Sequence, residues 1–373
     1  MNSQIPGTHT TPGIGSEFGL SRRGGYQWRI LNRPSMDGFS EALLAANGRA
    51  AIGLAARHAM QTADPARRTV LMPAYGCGSM LQPLIEQHLN IRFYPVRRDL
   101  SMNVADIADR IDDKTLAVVH LHYFGFPHPL SLIEQLVSNF PGLAVIDDRT
   151  HLLLTDLSAG DGSSRRTYCV YSTRKWGPFP DLGILLCPSS PVPALEDGFD
   201  WAFGFQRLTA LLERALFFAY PTESLRRLSL NAYHRGDHIL DQRVQLRHAS
   251  PVSQMLWRLW DWQPVCQRRR ANYQYLLDHW PADRARPLFP VLPDHVCPLG
   301  FPVLADDRDR LAAHFRTQRI FASAHWPRSP HLPHGQFPEA DALFAHELTI
   351  PVDQRYGIDD MDRVLDALRT FPG

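Results

Sequence analysis

The sequence predicts an α/β protein built on a mainly parallel, doubly wound β-sheet, followed by a smaller α+β domain at the C-terminal end. Two observations support this prediction. From Ser40 to about residue 190, short apolar runs alternate with segments of helical spacing, as expected for a sheet covered by helices. The chain has 373 residues, 44% of them apolar, which is enough for one large domain and a smaller one.

Strands and helices are predicted in alternation along the first half of the chain. A turn at Asn47-Gly48 precedes a helix, and further helical segments are SMLQPLIEQHL, VADIADRI and LSLIEQLVSNF. The predicted strands are RTVLMP, IRFYPV, TLAVVHLHYFG, LAVIDD, TYCVYS and LGILLC. Because these runs are short and mostly apolar, they are typical of a parallel sheet that is buried on both faces.

The pattern changes in the second half of the chain. Beyond about residue 190 it is helical, and the C-terminal part combines the strand CPLGFPVL with the helices DDRDRLAAHFRTQ and IDDMDRVLDALRTF. We expect Asp359 or Asp360 to cap the last helix. The predicted organisation is an N-terminal arm over residues 1–40, a large domain over 41–245 and a small domain over 246–373.

Charge and cysteine content argue against several classes of function. The formal net charge is +1 with acids and bases dispersed, so no basic surface for nucleic acid or anionic membranes is expected. The five cysteines never form a CxxC pair, which argues against a metal site of the zinc type and a disulfide framework. The N-terminus lacks the apolar run of a signal peptide, and Leu208–Tyr220 is too short to cross a bilayer. We therefore expect a cytoplasmic protein.

Lysine is rare in this chain, because only Lys114 and Lys175 among its 39 basic residues are lysines. Lys114 lies in the polar turn IDDKT, where a solvated charge is expected. Lys175 follows an apolar strand within YSTRKWGPFP. Burial there would lower the pKa of the amine and make it nucleophilic, which arginine cannot match. The alternative at this point is a surface lysine whose stem lies along apolar neighbours.

Other residues with suitable chemistry follow predicted strands, at the edge where ligands of such sheets bind. Asp147 and Asp148 end the run LAVI, where they either start a turn or place a carboxylate beside a bound ring. A carboxylate near a pyridine nitrogen would keep that nitrogen protonated. Ser172 is a candidate phosphate ligand and His151 a candidate catalytic residue. Tyr75 or Cys77 could contact the same ring, and the alternative for either is ordinary core packing.

The turn ANGRAA offers a second candidate phosphate site. It precedes a helix, so the amides of Gly48, Arg49 and Ala50 are available to an anion. Any helix start offers such amides, and this motif alone is weak. The sequence contains no GxGxxG, GxxxxGK[ST], HExxH or GxSxG motif, so nucleotide-binding and hydrolase templates have no support.

Taken in order, these segments resemble the sugar aminotransferase family typified by the DegT and StrS proteins, which have fold type I of the pyridoxal-phosphate enzymes. The similar stretches are NGRAAI, VLMPAYGCGSM, VVHLHYFGFP, VIDDRTHLL, YSTRKWGPFPDLGIL and FPEADALFAHELTIPV. They cover nearly the whole chain, most weakly from Ser190 to His248. Their order, with the 27-residue step from Asp148 to Lys175, makes the combination specific.

The resemblance implies an aminotransferase that uses pyridoxal 5'-phosphate, a small-molecule amino donor and a keto acceptor. A nucleotide-linked keto-sugar is the commonest acceptor in the family. Lys175 would form the Schiff base with the cofactor and shuttle protons. Asp148 would pair with the pyridine nitrogen, and His151 would lie near the phenolic oxygen of the ring.

The resemblance also implies how the cofactor would be held. Gly48, Arg49, Ala50 and Ser172 would bind its phosphate, while Cys77 would lie where family members often place an aromatic side chain against the ring. Family members are usually homodimers in which the partner subunit completes each active site. The partners expected for this chain are therefore small molecules and a second copy of itself.

The chain departs from the family pattern in several places. The serine and the lysine are spaced Ser-x₂-Lys rather than Ser-x₄-Lys, Leu182-Gly183 stands where Gly-Gly is usual, and Arg149-Thr150 replaces two alanines. The family's NYRM stretch has no clear counterpart. Two alternatives stay open: a pyridoxal-phosphate enzyme that decarboxylates, condenses or dehydrates, and a cofactor-free relative that binds or regulates.

Overall fold

The computed structural model describes residues 13–20, 41–157, 166–188, 192–281 and 283–372, so most of the predicted N-terminal arm, 1–40, lies outside the described residues. The strands are β1 Glu41–Ala45, β2 Thr69–Pro73, β3 Asn90–Tyr94, β4 Thr115–Leu121, β5 Ala144–Asp148, β6 Thr167–Ser172, β7 Gly183–Cys187, β8 Glu196–Phe199, β9 Arg247–His248, β10 Arg286–Pro287, β11 Phe301–Leu304 and β12 Glu347–Ile350. The α-helices are α1 Gly48–Thr62, α2 Gln82–Ile85, α3 Val104–Ala108, α4 Ser131–Asn139, α5 Trp201–Ala219, α6 Glu223–Gln242, α7 Pro251–Leu259, α8 Gln263–His279, α9 Arg308–Thr317, α10 Pro338–His346 and α11 Ile358–Arg369. Short 3₁₀ turns cover Gly78–Met80 and Thr173–Lys175.

Nine strands form one large sheet in the order β3-β2-β4-β5-β6-β7-β1-β9-β8. Strands β3, β2, β4, β5 and β6 are mutually parallel, whereas β7 is antiparallel to both β6 and β1. Every residue of β2, β4, β5 and β7 is buried, as the apolar runs predicted. The prediction of an α/β fold with a mainly parallel sheet is confirmed.

The C-terminal part contains a second sheet, in which β10, β11 and β12 are antiparallel neighbours. Helix α9 packs on β12, and α11 packs on α8 and α9. The large sheet also includes β9, which pairs with β1. The domain boundary between residues 245 and 246 stays a prediction.

The N-cap of α11 differs from the prediction. It is Gly357, and neither Asp359 nor Asp360 occupies that position. Instead, Asp360 lies in the first turn, where its carboxylate accepts the N–H of Gly357 at 3.2 Å. A carboxylate in the first turn accepts a hydrogen bond from a free amide. It also interacts favourably with the positive end of the helix dipole, and together these effects explain the Asp-Asp pair.

Helices α5 and α6 form an antiparallel hairpin in which each packs mainly on the other. The apolar stretch noted above, Leu208–Tyr220, lies almost entirely in α5. No helix among the described residues is both long enough and apolar enough to span a membrane. The hairpin matters for the site because α5 and α6 both contribute side chains to it.

Asp147 and Asp148 are neighbours on β5 and therefore point to opposite faces of the sheet. Asp147 accepts hydrogen bonds from His120 Nδ1 at 2.7 Å and His122 Nε2 at 2.9 Å, and its second oxygen pairs with Arg149. Burial raises the pKa of Asp147, but Arg149 and the two histidines hold that pKa well below its usual range. Arg149, which departs from the family pattern, thus neutralises a buried carboxylate behind the site.

The turn before β7 brings the chain against the start of α1. Leu182 has a φ of +95°, a conformation that costs a non-glycine residue about 1–3 kcal/mol. Its side chain is buried, its N–H donates to Ala46 at 2.8 Å, and its carbonyl accepts the N–H of Thr173 at 3.2 Å. A Cβ at Gly183 would lie 2.3 Å from the Asn47 backbone. Glycine is therefore required at position 183, and leucine is tolerated at 182.

Replacing Gly183 should displace the beginning of α1. We expect Gly183→Ala to lower the free energy of unfolding by about 1–3 kcal/mol, because the Asn47 backbone must move away. Urea denaturation measures the change. In the control Gly357→Ala, the nearest atom to the new Cβ is Arg268 Nη1 at 3.7 Å. Equal stabilities of the two variants would contradict this account of the turn.

Candidate functional site

A cavity of about 830 Å³ lies where β5 and β6 end and α1 begins. The predicted residues that line it are Gly48, Arg49, Cys77, Asp148, Ser172 and Lys175. The α5–α6 hairpin and residues 323–327 supply further walls. The structure does not place Ala50 in this lining, and His151 lies behind it, in contact with Lys175.

The central contact joins Lys175 Nζ and His151 Nε2 at 2.7 Å. His151 Nδ1 accepts the backbone N–H of Phe124 at 3.1 Å, so this nitrogen carries no proton. A neutral imidazole then has its proton on Nε2 and donates it to Lys175. Because an ammonium group has no lone pair to accept a hydrogen bond, this geometry requires a neutral amine at Lys175.

Burial favours the neutral form of both groups. It lowers the pKa of Lys175, although Cys77 and Asp148 act in the opposite direction. Burial also holds the pKa of His151 well below its usual range, and the Lys175 charge adds to that effect. A neutral amine in a cavity is a nucleophile and a base at ordinary pH.

Asp148 brings a buried carboxylate to the same cavity. It is 1% exposed, and its Oδ1 accepts the N–H of Thr150 at 2.8 Å. Burial raises its pKa, while the Lys175 charge lowers it. A cationic partner in the cavity would therefore stabilise the ionised carboxylate.

The start of α1 meets the end of β6 closely. Asn47 is the N-cap of α1 and accepts the N–H of Ala50 at 3.0 Å, so the amides of Gly48 and Arg49 are the first-turn amides beside the cavity. A Cβ on Gly48 would lie 3.3 Å from Cβ of Ser172. The glycine thus keeps open the space between these amides and the Ser172 hydroxyl.

Cys77 also faces the cavity, where its Sγ lies 2.9 Å from the hydroxyl of Ser79. The neighbouring Tyr75 is fully buried, and its hydroxyl donates to the carbonyl of His325. Tyr75 therefore anchors a distant segment of the chain and is not a lining residue.

Two residues of the site, His325 and Trp326, were not found from the sequence. The Trp326 ring stacks on His151 with centroids 5.5 Å apart, and Lys175 Nζ lies 5.8 Å from its centroid. The N–H of His325 donates to Glu347 at 2.5 Å, and burial raises the pKa of Glu347 to about 8. The stretch SAHWP matches none of the sequence motifs considered above. Its place in the wall of the cavity is therefore visible only in the structure.

Part of this chain matches the model of a known protein family. Residues 37–168 match the model of the DegT/DnrJ/EryC1/StrS aminotransferase family. No curated protein sequence matches the chain.

Solved structures share the fold over nearly the whole chain. The sugar aminotransferase CalS13 from Micromonospora echinospora is 17% identical with a TM-score of 0.61, over 89% of this chain and 88% of that one. The Helicobacter pylori aminotransferase PseC, involved in the biosynthesis of pseudoaminic acid, is 14% identical with a TM-score of 0.63, over 96% and 100%. The putative sugar aminotransferase Spr1654 from Streptococcus pneumoniae is 11% identical with a TM-score of 0.64, over 97% and 98%.

At these identities the structural likeness shows the fold, and the sequence match to the family model covers residues 37–168. The predicted resemblance and the predicted fold class are both confirmed. The chain resembles the DegT/DnrJ/EryC1/StrS aminotransferase family in this segment and has the fold of its solved relatives.

Proposed function

We propose that this protein is a pyridoxal-phosphate-dependent aminotransferase that moves an amino group from an amino-acid donor to a keto acceptor. The contact between Lys175 Nζ and His151 Nε2 is the observation that carries the proposal, because it requires a neutral amine. As acceptor we propose a keto-sugar, nucleotide-linked or free, or a related biosynthetic intermediate, in line with the family match.

The described residues fit this cofactor. The cavity of about 830 Å³ combines a neutral amine, a buried carboxylate, first-turn amides and a hydroxyl. The space beside Gly48 would be filled by any other side chain, because a Cβ there already approaches Ser172. When bound, pyridoxal phosphate supplies an aldehyde that bonds to amines and a protonated ring that draws electrons from the neighbouring carbon.

Lys175 would do two things in this reaction. As a neutral amine, Nζ would be the nucleophile that holds the cofactor, and it would also be the base of the reaction. In the second role Nζ would accept a proton from the donor and later give it back. His151 and Trp326 keep Nζ in place, through the 2.7 Å hydrogen bond and the ring that lies over the amine.

Asp148 would support this proton transfer through its charge. Its buried carboxylate would hold a proton on the ring nitrogen of the cofactor, and such an ion pair would stabilise the charged form of Asp148. The amides of Gly48 and Arg49 and the Ser172 hydroxyl would bind the phosphate, and Cys77 would contact the ring. Ala50 would contribute through the N-cap that orders this turn.

We also propose that the protein is a cytoplasmic homodimer whose partner subunit completes each site. The dimer is supported by a row of large apolar side chains on α5 that are about half exposed or more: Trp201 (62%), Phe205 (64%), Leu212 (50%), Leu216 (49%) and the adjoining Tyr220 (67%). Such a row on one face is typical of an interface. A monomer by light scattering at micromolar concentration would contradict the dimer.

Cofactor uptake and conversion should depend on Lys175. Protein mixed with pyridoxal phosphate should absorb visible light, and an amino-acid donor should convert the cofactor to pyridoxamine phosphate. Lys175→Arg should abolish both signals, because a guanidinium does not attack the aldehyde. Lys114→Arg is the matched control, since Lys114 is exposed and remote from the cavity. A colourless wild-type protein that takes up no cofactor would contradict the proposed function.

Asp148→Asn should separate binding from catalysis. Asparagine preserves the oxygen that accepts the Thr150 N–H, so the fold should be retained. Without the carboxylate the ring nitrogen loses its proton, and we expect the donor half-reaction to slow about 100-fold or more, a loss typical of an electrostatic group in an active site. Stopped-flow absorbance measures this rate. An unchanged rate would rule out the role assigned to Asp148.

Acid should destabilise the cofactor-free protein through His325. Burial lowers the pKa of His325 to about 4, so below pH 6.5 the unfolded chain binds a proton that the folded chain excludes. This residue therefore removes up to about 3 kcal/mol of stability as the pH falls from 6.5 to 4. In His325→Asn, the part of the acid-induced loss of stability that is due to His325 should disappear, and urea denaturation at a series of pH values measures this. The exposed His234→Asn is the control, and identical pH profiles for both variants would contradict the assignment.

A further inference from the structure

Two of the arginines that line the cavity, Arg174 and Arg207, lie close to each other and have no role in the proposed reaction. Arg174 immediately precedes Lys175 in the 3₁₀ turn after β6, and Arg207 lies on α5. Asp237, on α6, also lines the cavity. The α5–α6 hairpin therefore brings a second arginine beside the loop that carries the reactive lysine.

Both guanidinium groups are held in place by packing. The side chain of Arg174 is 18% exposed and that of Arg207 is 6% exposed. Arg174 lies over the ring of Phe203 at 5.0 Å, and Arg207 lies over that of Tyr233 at 4.4 Å. Cation–π contacts of this kind fix the planes of the two groups before any ligand binds.

The carboxylates near them balance these charges incompletely. Asp237 Oδ1 is shared between Arg174 at 3.5 Å and Arg207 at 3.3 Å, and Glu17 lies 3.6 Å from Arg207. Charged hydrogen bonds are normally about 2.7–2.9 Å long. Asp237 and Glu17 are also about half exposed, so water weakens both contacts.

Each of the two arginines also has a side-chain N–H group without an acceptor among the described residues. The Nε atoms of Arg174 and Arg207 are buried and meet no hydrogen-bond partner among the described residues. Burial lowers the pKa of Arg174 to about 10, and the charge of Arg207 is the next contributor. Two neighbouring buried cations with unsatisfied donors are costly unless an anion joins them.

We propose that Arg174 and Arg207 form a subsite for a phosphate group, held open by their shared contact with Asp237. The subsite rests on the proposed function for the identity of its occupant, which is either the cofactor's phosphate or a phosphate on the acceptor. The position of Arg174 favours the cofactor's phosphate. Arg174 lies two residues after Ser172 and lines the cavity together with Gly48 and Arg49, whose amides are the other candidate phosphate ligands.

Cofactor analogues distinguish the two occupants. The cofactor-free protein is titrated with pyridoxal phosphate and with pyridoxal, which lacks the phosphate. Arg174→Gln and Arg207→Gln should weaken pyridoxal phosphate about 10-fold to 100-fold and leave pyridoxal unchanged, as expected for lost charged hydrogen bonds. Arg174→Lys should fall between wild type and Arg174→Gln. Arg235→Gln, an exposed arginine on α6, is the matched control and should bind both ligands normally.

A second titration covers the other occupant. If the subsite serves the acceptor, the variants should bind pyridoxal phosphate normally. After loading with the cofactor, however, they should bind pyrophosphate about 10-fold or more weakly than the cofactor-loaded wild-type protein does. Unchanged binding of both ligands in Arg174→Gln and Arg207→Gln would overturn the proposal. Arg174 is partly exposed, so its variants remain informative if Arg207→Gln fails to fold.

If the protein is not a pyridoxal-phosphate enzyme, the titrations give a different result. In that case the wild-type protein takes up no pyridoxal phosphate, and inorganic phosphate is titrated into the unliganded protein by calorimetry. Binding that is lost in Arg174→Gln and kept in Arg235→Gln would support the subsite without the enzyme. Binding that is absent, or equal in the two variants, would overturn it.

Discussion

The hydrogen bond from His151 to Lys175 is the interaction on which the rest of the site depends. Its geometry fixes a protonation state, because the Phe124 N–H occupies one nitrogen of His151 and leaves only the other to carry the proton. The lysine is therefore an acceptor and must be neutral. Burial favours this state for both residues, so the lysine has a free lone pair and the histidine beside it adds no charge.

The sheet supplies the positions that make this contact possible. Alternation along β5 places Asp148 in the cavity and Asp147 on the opposite face, where His120, His122 and Arg149 satisfy it. Glycine at 183 lets β7 approach the turn before α1, which sets the first amides of α1 against Ser172. The alternation along β5 and the glycine at 183 thus position Asp148, Ser172 and the first amides of α1 relative to one another.

Much of the fold and part of the site could be predicted from the sequence. Apolar runs identified β2 to β7, and the position of Lys175 after a strand pointed to a side chain that lines the cavity, because both depend on local patterning. Strand β1, with the sequence EALLA, could not be found this way, since its residues favour helix and only pairing with β7 makes it extended. His325, Trp326 and Arg207 were missed for a related reason, because distant segments bring them to the cavity. Arg174 lies beside Lys175 in the sequence, but its partners Arg207 and Asp237 come from the distant helices α5 and α6.

The central claim is that Lys175 is a neutral amine at ordinary pH, and selective labelling tests it most directly. Only Lys114 and Lys175 carry side-chain amines in this chain, so peptide mapping assigns the product without ambiguity. Cofactor-free protein is treated at pH 7 with one equivalent of pyridoxal phosphate and then borohydride. The account predicts labelling at Lys175 with little at Lys114, and His151→Phe should reduce the rate at Lys175. Equal labelling of the two lysines, or labelling of Lys175 only near pH 10, would contradict it.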